Sequence, residues 1–151
     1  MNNLQRPRKT FLLADDDHDD RDLFVLAMES ADPSVKCVTV KNGREALDLI
    51  REGAETYDLI FLDLNMPVMS GWACLECLRQ EGFSMPVVIF TTSSREEDIE
   101  QARRLGATHF FTKPETFTSL VQVLSIIADQ VQAGTVVPIK RSAEQRYLEC
   151  F

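Results

Sequence analysis

Tyr57-Asp58-Leu59-Ile60-Phe61-Leu62-Asp63-Leu64-Asn65-Met66-Pro67 is the stretch from which the fold can be read. Four apolar residues in a row, Leu59 to Leu62, have the composition of a strand buried on both faces. That strand delivers one carboxylate, Asp63, at its end. The chain then meets Asn65, Pro67, Ser70 and Gly71, all turn formers. In open α/β sheets, ligands bind outside the carboxyl ends of the strands, so Asp63 stands where chemistry is done. The structural alternative is an acid that caps the loop after its strand. The rest of the chain decides between the two.

Upstream, Thr10 to Ala14 reads as a first strand that runs into Asp15, Asp16, Asp17, His18, Asp19 and Asp20. A helix is expected from about Asp19 to Ser30, with Phe24, Ala27, Met28 and Ala31 on one face. Val35 to Val40 is rich in β-branched residues and reads as a second strand. A short helix from Arg44 to Arg51 buries Ala46, Leu47 and Ile50 and stops at Gly53. Downstream of the central stretch, Gly71 to Glu81 reads as a helix packing Trp72, Leu75 and Leu78. Pro86 to Thr91 is a fourth apolar strand. Ser93 or Ser94 is placed to cap the next helix, where Glu96 and Glu97 suit the positive end. That helix, to Leu105, has a thin apolar face of Ile99, Ala102 and Leu105. Thr108 to Thr112 is a fifth strand, followed by Lys113-Pro114. A last helix from about Glu115 to Gln132 carries the stripe Phe117, Leu120, Val121, Leu124, Ile127, Ala128 and Val131.

Five strands alternating with five helices, joined by short connections, force parallel strands and right-handed crossovers. The expected architecture is a three-layer α/β sandwich with a five-stranded parallel sheet in the flavodoxin-like order 2-1-3-4-5. Residues 1–9 form a polar extension, 10–133 the domain, and 134–151 a tail. The tail is apolar at Val136-Val137-Pro138-Ile139 and carries Tyr147-Leu148 and Phe151, so it can dock on the domain or on a second copy. The expectation is a loose arm, and a monomer and a homodimer both stay open.

A chain of 151 residues is long enough for one domain with a sizeable core. The net charge of −8 argues against nucleic acid or an anionic membrane as the main partner. No apolar run approaches the ~20 residues of a membrane span. The basic cluster Arg6, Arg8 and Lys9 precedes an apolar run too short for a signal peptide, so a cytoplasmic protein is expected. Of the four cysteines, Cys74 and Cys77 form a CxxC inside a helical pattern with no second ligand pair nearby, which disfavours zinc or redox chemistry.

The strand ends carry the chemistry. Strand one ends in Asp15, Asp16 and Asp17, strand three in Asp63, strand four in Thr91 and Thr92, strand five in Lys113. All lie at one edge of a parallel sheet. Clustered carboxylates repel unless they hold a cation or share protons. Hard oxygen ligands with solvent access suit Mg²⁺, which takes one or two carboxylates plus a phosphate. A carboxylate can also accept a phosphoryl group as an acyl phosphate, neutralised by a metal on one side and Lys113 on the other. These are the parts for reversible phosphorylation of Asp63. Each has a structural alternative. The acidic run caps the first helix and complements its dipole, a role for which Asp17 and Asp20 are the best placed. Lys113 can be a solvated loop lysine and Thr91 an ordinary strand-end residue. Four such accidents at one sheet edge are a poor explanation.

The chain resembles the receiver domains of two-component response regulators. The matching pieces are Leu12-Leu13-Ala14-Asp15-Asp16, Leu62-Asp63-Leu64-Asn65-Met66-Pro67 with Met69-Ser70-Gly71, Phe90-Thr91-Thr92, and Phe111-Thr112-Lys113-Pro114. The resemblance runs from residue 10 to about 131. It implies that Asp63 is the phospho-acceptor. Asp16 and Asp63 would bind Mg²⁺ directly, with the backbone carbonyl of Asn65, and Asp15 would hold a metal-bound water. Lys113 would pair with the phosphoryl group. Thr91 would be the switch hydroxyl and Phe110 the switch aromatic, here without the hydroxyl of a tyrosine. Asn65 and Ser93 lie where relatives tune the loss of the phosphoryl group. The implied partners are a histidine kinase or phosphotransfer protein and a downstream protein reached by contact, with no DNA-binding or catalytic output following the domain.

Three other readings are weaker. A haloacid-dehalogenase-type phosphatase needs a second aspartate two residues after the nucleophile, and that residue is Asn65. A nucleotide-binding domain needs a GxGxxG or a GK[ST] phosphate cradle, and the chain has neither. A docking module of the same fold that is never phosphorylated stays open, with the intact acid set arguing against it.

Overall fold

The strands are built from residues that bury both faces of a sheet. In a computed structural model, which describes residues 8–132 and 148–150, β1 (Thr10–Ala14), β3 (Leu59–Leu62) and β4 (Val87–Thr91) are buried along their whole length. With β2 (Lys36–Val40) and β5 (His109–Thr112) they form five parallel strands in the order 2-1-3-4-5. Five helices alternate with them: α1 (His18–Ala31), α2 (Gly43–Glu52), α3 (Gly71–Gln80), α4 (Glu96–Arg104) and α5 (Phe117–Gln132). The expected three-layer flavodoxin-like sandwich is therefore the fold.

Alternation along each strand makes two cores. Leu12, Ala14, Ile60, Leu62, Val87, Ile89 and Phe110 face one layer with Leu47, Leu75, Leu78 and Ala102. Phe11, Leu13, Leu59, Phe61, Val88, Phe90 and Phe111 face the other with Phe24, Met28, Leu124 and Ile127. The second core is aromatic. Phe24 meets Phe61 edge-on at 4.9 Å between ring centroids, and Phe90 lies 5.1 Å from Phe111.

Local chemistry sets most helix ends. Asp17 caps α1 by accepting from the Asp20 N–H, Asn42 caps α2 and Ser70 caps α3. Gly53 ends α2 in the left-handed conformation at φ 69°. Helix α4 departs from expectation. It begins at Glu96 after Arg95, which makes no capping bond, and neither Ser93 nor Ser94 is its cap. The Ser93 hydroxyl instead donates to Asp98 Oδ2 at 2.6 Å and accepts from the Arg95 N–H at 3.2 Å. The thin apolar face expected for α4 is present, with Ala102 its one fully buried residue.

Two further expectations fail. Phe117, expected in the apolar stripe of α5, is 44% exposed because it opens the helix, while Val123 is fully buried in its place along the stripe. Part of the tail is also not a loose arm. Leu148–Cys150 forms β6, a sixth strand antiparallel to β5, with Phe110 opposite Glu149. It supplies backbone partners to an edge that would otherwise be open. Val136 to Ile139, Tyr147 and Phe151 lie outside the described residues. Among the described residues no helix is long and apolar enough to cross a membrane. Cys74 is buried within α3, and burial pushes its thiol up to about 12.

Candidate functional site

The sheet ladder itself brings the acids together. The Asp63 N–H donates to the Ala14 carbonyl at 3.0 Å, which sets the ends of β1 and β3 side by side. The Asp15 N–H donates to the Val40 carbonyl at 3.1 Å, and the Lys113 N–H to the Thr91 carbonyl at 2.7 Å. Gly71 closes the loop after β3 so tightly that a Cβ there would stand 2.1 Å from the Asp63 carbonyl oxygen. Any side chain at Gly71 would displace the acid, which explains glycine at this point.

Asp15, Asp16 and Asp63 each offer a carboxylate oxygen, and the three oxygens lie within 4.8 Å of one another. Asp15 is fully buried, Asp63 nearly so, and Asp16 is exposed. The set therefore has two fixed oxygens and one solvent-facing oxygen, all hard donors. That suits a hydrated divalent cation that keeps some of its waters. Asn65, whose carbonyl was expected to complete the set, lies in the exposed loop after β3. It lines a cleft of about 350 Å³ with Leu64, Trp72, Thr92, Ser93, Arg95 and Asp98.

Lys113 reaches across the sheet to this cluster. Its Nζ lies 2.7 Å from Asp15 Oδ2, 2.8 Å from Asp20 Oδ2 and 3.3 Å from Asp63 Oδ2. It also stands 5.3 Å from the centroid of the Phe90 ring. The solvated-loop reading of Lys113 is thereby excluded. Burial acts to lower the Lys113 pKa, but the hydrogen bonds to Asp15 and Asp20 outweigh it and the group is raised. Asp15 moves the other way for an acid. Burial pushes its carboxyl up to about 6, against the opposing pull of Lys113 and of the Asp17 N–H. A buried acid held this far up gains from any further cation placed beside it.

The two expected switch residues are both buried. Thr91 is 1% exposed, and its hydroxyl lies 3.5 Å from the Ser93 N–H. Phe110 is fully enclosed in the core on the α3 and α4 side. Asp17 acts as a helix cap, as expected. Asp20 does more than complement the helix dipole, since its side chain contacts Lys113. The signal for this was its place in the first turn of α1. Helical side chains lean toward the helix N-terminus, here toward the strand ends.

Residues 11–125 match the family model of the response regulator receiver domain. The chain belongs to that family. Receivers are signalling modules of two-component systems that interact with histidine kinases or phosphotransfer proteins and bind Mg²⁺ at an acidic pocket. Among solved structures, the phosphorylated cyanobacterial phytochrome response regulator RcpA is 28% identical. It superposes with a TM-score of 0.78 over 88% of this receiver and 100% of that chain. Among curated relatives, two-component response regulator 24 of Arabidopsis thaliana is 29% identical over 86% of this chain and 91% of its own length. The transcriptional regulatory protein PcoR of Escherichia coli is 35% identical over 65% of this chain and 43% of its own. The receiver thus spans less than half of PcoR, and 11% of the Salmonella typhi sensor histidine kinase RcsC, to which it is 31% identical over 72% of its own length.

Proposed function

We propose that this receiver accepts a phosphoryl group on Asp63 from a histidine kinase or phosphotransfer protein, in a Mg²⁺-dependent reaction, and signals by phosphorylation-dependent protein contact. The observation that carries this reading is the convergence of Lys113 on Asp15 and Asp63. A lysine 50 residues after one acid and 98 after the other is held over both. Asp16, Asp63 and the backbone carbonyl of Asn65 would hold the cation, and Asp15 would act through a bound water. Bound Mg²⁺ supplies charge neutralisation on one side of the phosphoryl oxygens.

The residues of the chain do the rest. A carboxylate oxygen of Asp63 attacks phosphorus, the bond from phosphorus to the donor breaks, and the donor leaves with that electron pair. From phosphohistidine the broken bond is P–N, and from acetyl phosphate it is P–O. Lys113 balances the charge on the opposite side of the site. The Thr91 hydroxyl follows the phosphoryl group, and the backbone after β4 moves with it toward the site. Phe110, with no hydroxyl, answers this shift by packing alone. Helix α4 is then displaced at low cost because it is weakly anchored.

The test is intact mass after incubation with acetyl phosphate and Mg²⁺. A single phosphoryl adduct is expected on the wild type, absent without Mg²⁺ and absent in Asp63→Ala. A folded wild type that takes no adduct at saturating Mg²⁺ contradicts the proposal.

A further inference from the structure

An ammonium group has three N–H donors. On Lys113 they face three carboxylates at unequal distances: Asp15 at 2.7 Å, Asp20 at 2.8 Å and Asp63 at 3.3 Å. Two contacts are short and one is long, and the long one is to Asp63. Asp15 and Asp63 belong to the oxygen set that fits a cation, together with Asp16, and Asp20 does not. Asp20 comes from another element, the first turn of α1.

Its mounting is rigid. The Asp20 N–H donates to Asp17 Oδ1 at 3.0 Å, so the capping bond of α1 fixes its backbone. One turn and more further on, Phe24, Ala27 and Met28 bury the same helix in the aromatic core. The Arg21 guanidinium donates to the Asp15 carbonyl oxygen at 2.8 Å, tying this turn to the end of β1. Asp20 is therefore an anion held at a set place beside the site, with its charge committed to Lys113.

We propose that Asp20 is a positioning residue for Lys113. With Asp15 it holds the ammonium from two sides, so that the third N–H faces the carboxylate of Asp63. This rests on the phosphorylation of Asp63 argued above. Of the two short anchors, Asp15 shares its charge with the cation-binding set. Asp20 is the anchor that stays with Lys113 alone. A first-turn acid serving only the dipole of α1 would affect stability and leave the lysine and the reaction untouched.

The test compares wild type, Asp20→Ala and Asp20→Asn as full chains, in two measurements. The first is the rate of adduct formation from acetyl phosphate at saturating Mg²⁺. Asp20→Ala is expected to slow it by on the order of tenfold, the scale seen when a supporting partner of a site residue is lost. Asp20→Asn keeps an acceptor oxygen and is expected to recover most of the rate. The second is the ¹⁵N resonance of the Lys113 ammonium, read without phosphoryl donor or metal. It is expected to be protected from exchange with water in wild type and Asp20→Asn and lost in Asp20→Ala. An unchanged rate in Asp20→Ala, with the wild type forming its adduct, overturns the inference. So does a slowed rate with the ammonium signal intact. A wild type that forms no adduct instead overturns the phosphorylation reading, while the ammonium signal still reports on Asp20.

Discussion

Helices α1 and α4 border the site from opposite sides and are held by different means. Helix α1 buries Phe24, Ala27 and Met28, is capped by the Asp17 carboxylate, and sends Asp20 back to Lys113. Helix α4 buries Ala102 alone, with Ile99 and Leu105 partly covered, and starts without a side-chain cap. One wall is built to keep groups in place and the other to move. A signalling site needs both, because a charge added at Asp63 must be received by fixed groups and reported by a cheap displacement.

The largest test of this contrast is in the two anchors. Phe24→Ala is expected to cost about 3–5 kcal/mol in urea unfolding, as removal of a fully buried aromatic usually does. Ile99→Ala is expected to cost no more than about 1–2 kcal/mol, since its side chain is only partly covered. Equal costs would show that the two helices are anchored alike.

The next effect lies at the opposite edge of the sheet and depends on pH. His109 opens β5, is 2% exposed, and has an Nε2 with no hydrogen-bond partner among the described residues. Burial pushes its pKa down from 6.5 to about 4. Between those values the unfolded chain takes up a proton that the folded chain does not. Stability is therefore present in full above pH 6.5, is lost as the pH falls toward 4, and levels below it. The loss amounts to on the order of 3 kcal/mol. Asp15 works in the opposite sense, because its folded carboxyl is raised to about 6 and takes a proton before the unfolded chain does. The difference in pH slope between wild type and His109→Gln isolates the histidine. Parallel slopes would show that its burial is not maintained in solution.

The smallest effect is in the caps. Asp17→Ala is expected to lower stability by about 1 kcal/mol and Arg95→Ala by less than about 0.5 kcal/mol, read as shifts of the urea midpoint.

Much of this is legible in the sequence. The runs Phe11 to Ala14, Leu59 to Leu62 and Val87 to Phe90 are apolar on every residue, and that pattern has few outcomes besides a buried parallel strand. Once the strands were parallel, Asp15, Asp63, Thr91 and Lys113 had to share an edge. What escaped was set by tertiary contacts. Ser93 looks like a cap for α4, but its hydroxyl is taken by Asp98. Phe117 fits the stripe of α5 by spacing, yet stands at the helix start, beyond the reach of the sheet. Strand β6 has three residues with a glutamate at its centre, and only the open edge of β5 makes it a strand. Asp20 reads as one more acid of a capping run, and its partner lies 93 residues away.

Amide hydrogen exchange along the chain, with Mg²⁺, before and after acetyl phosphate, tests the division between a fixed and a moving wall most directly. Exchange is expected to change across residues 92–112, which include α4, while residues 18–31 of α1 keep their protection. Unchanged protection of 92–112 in a fully phosphorylated sample, or a change of equal size in both helices, would contradict it.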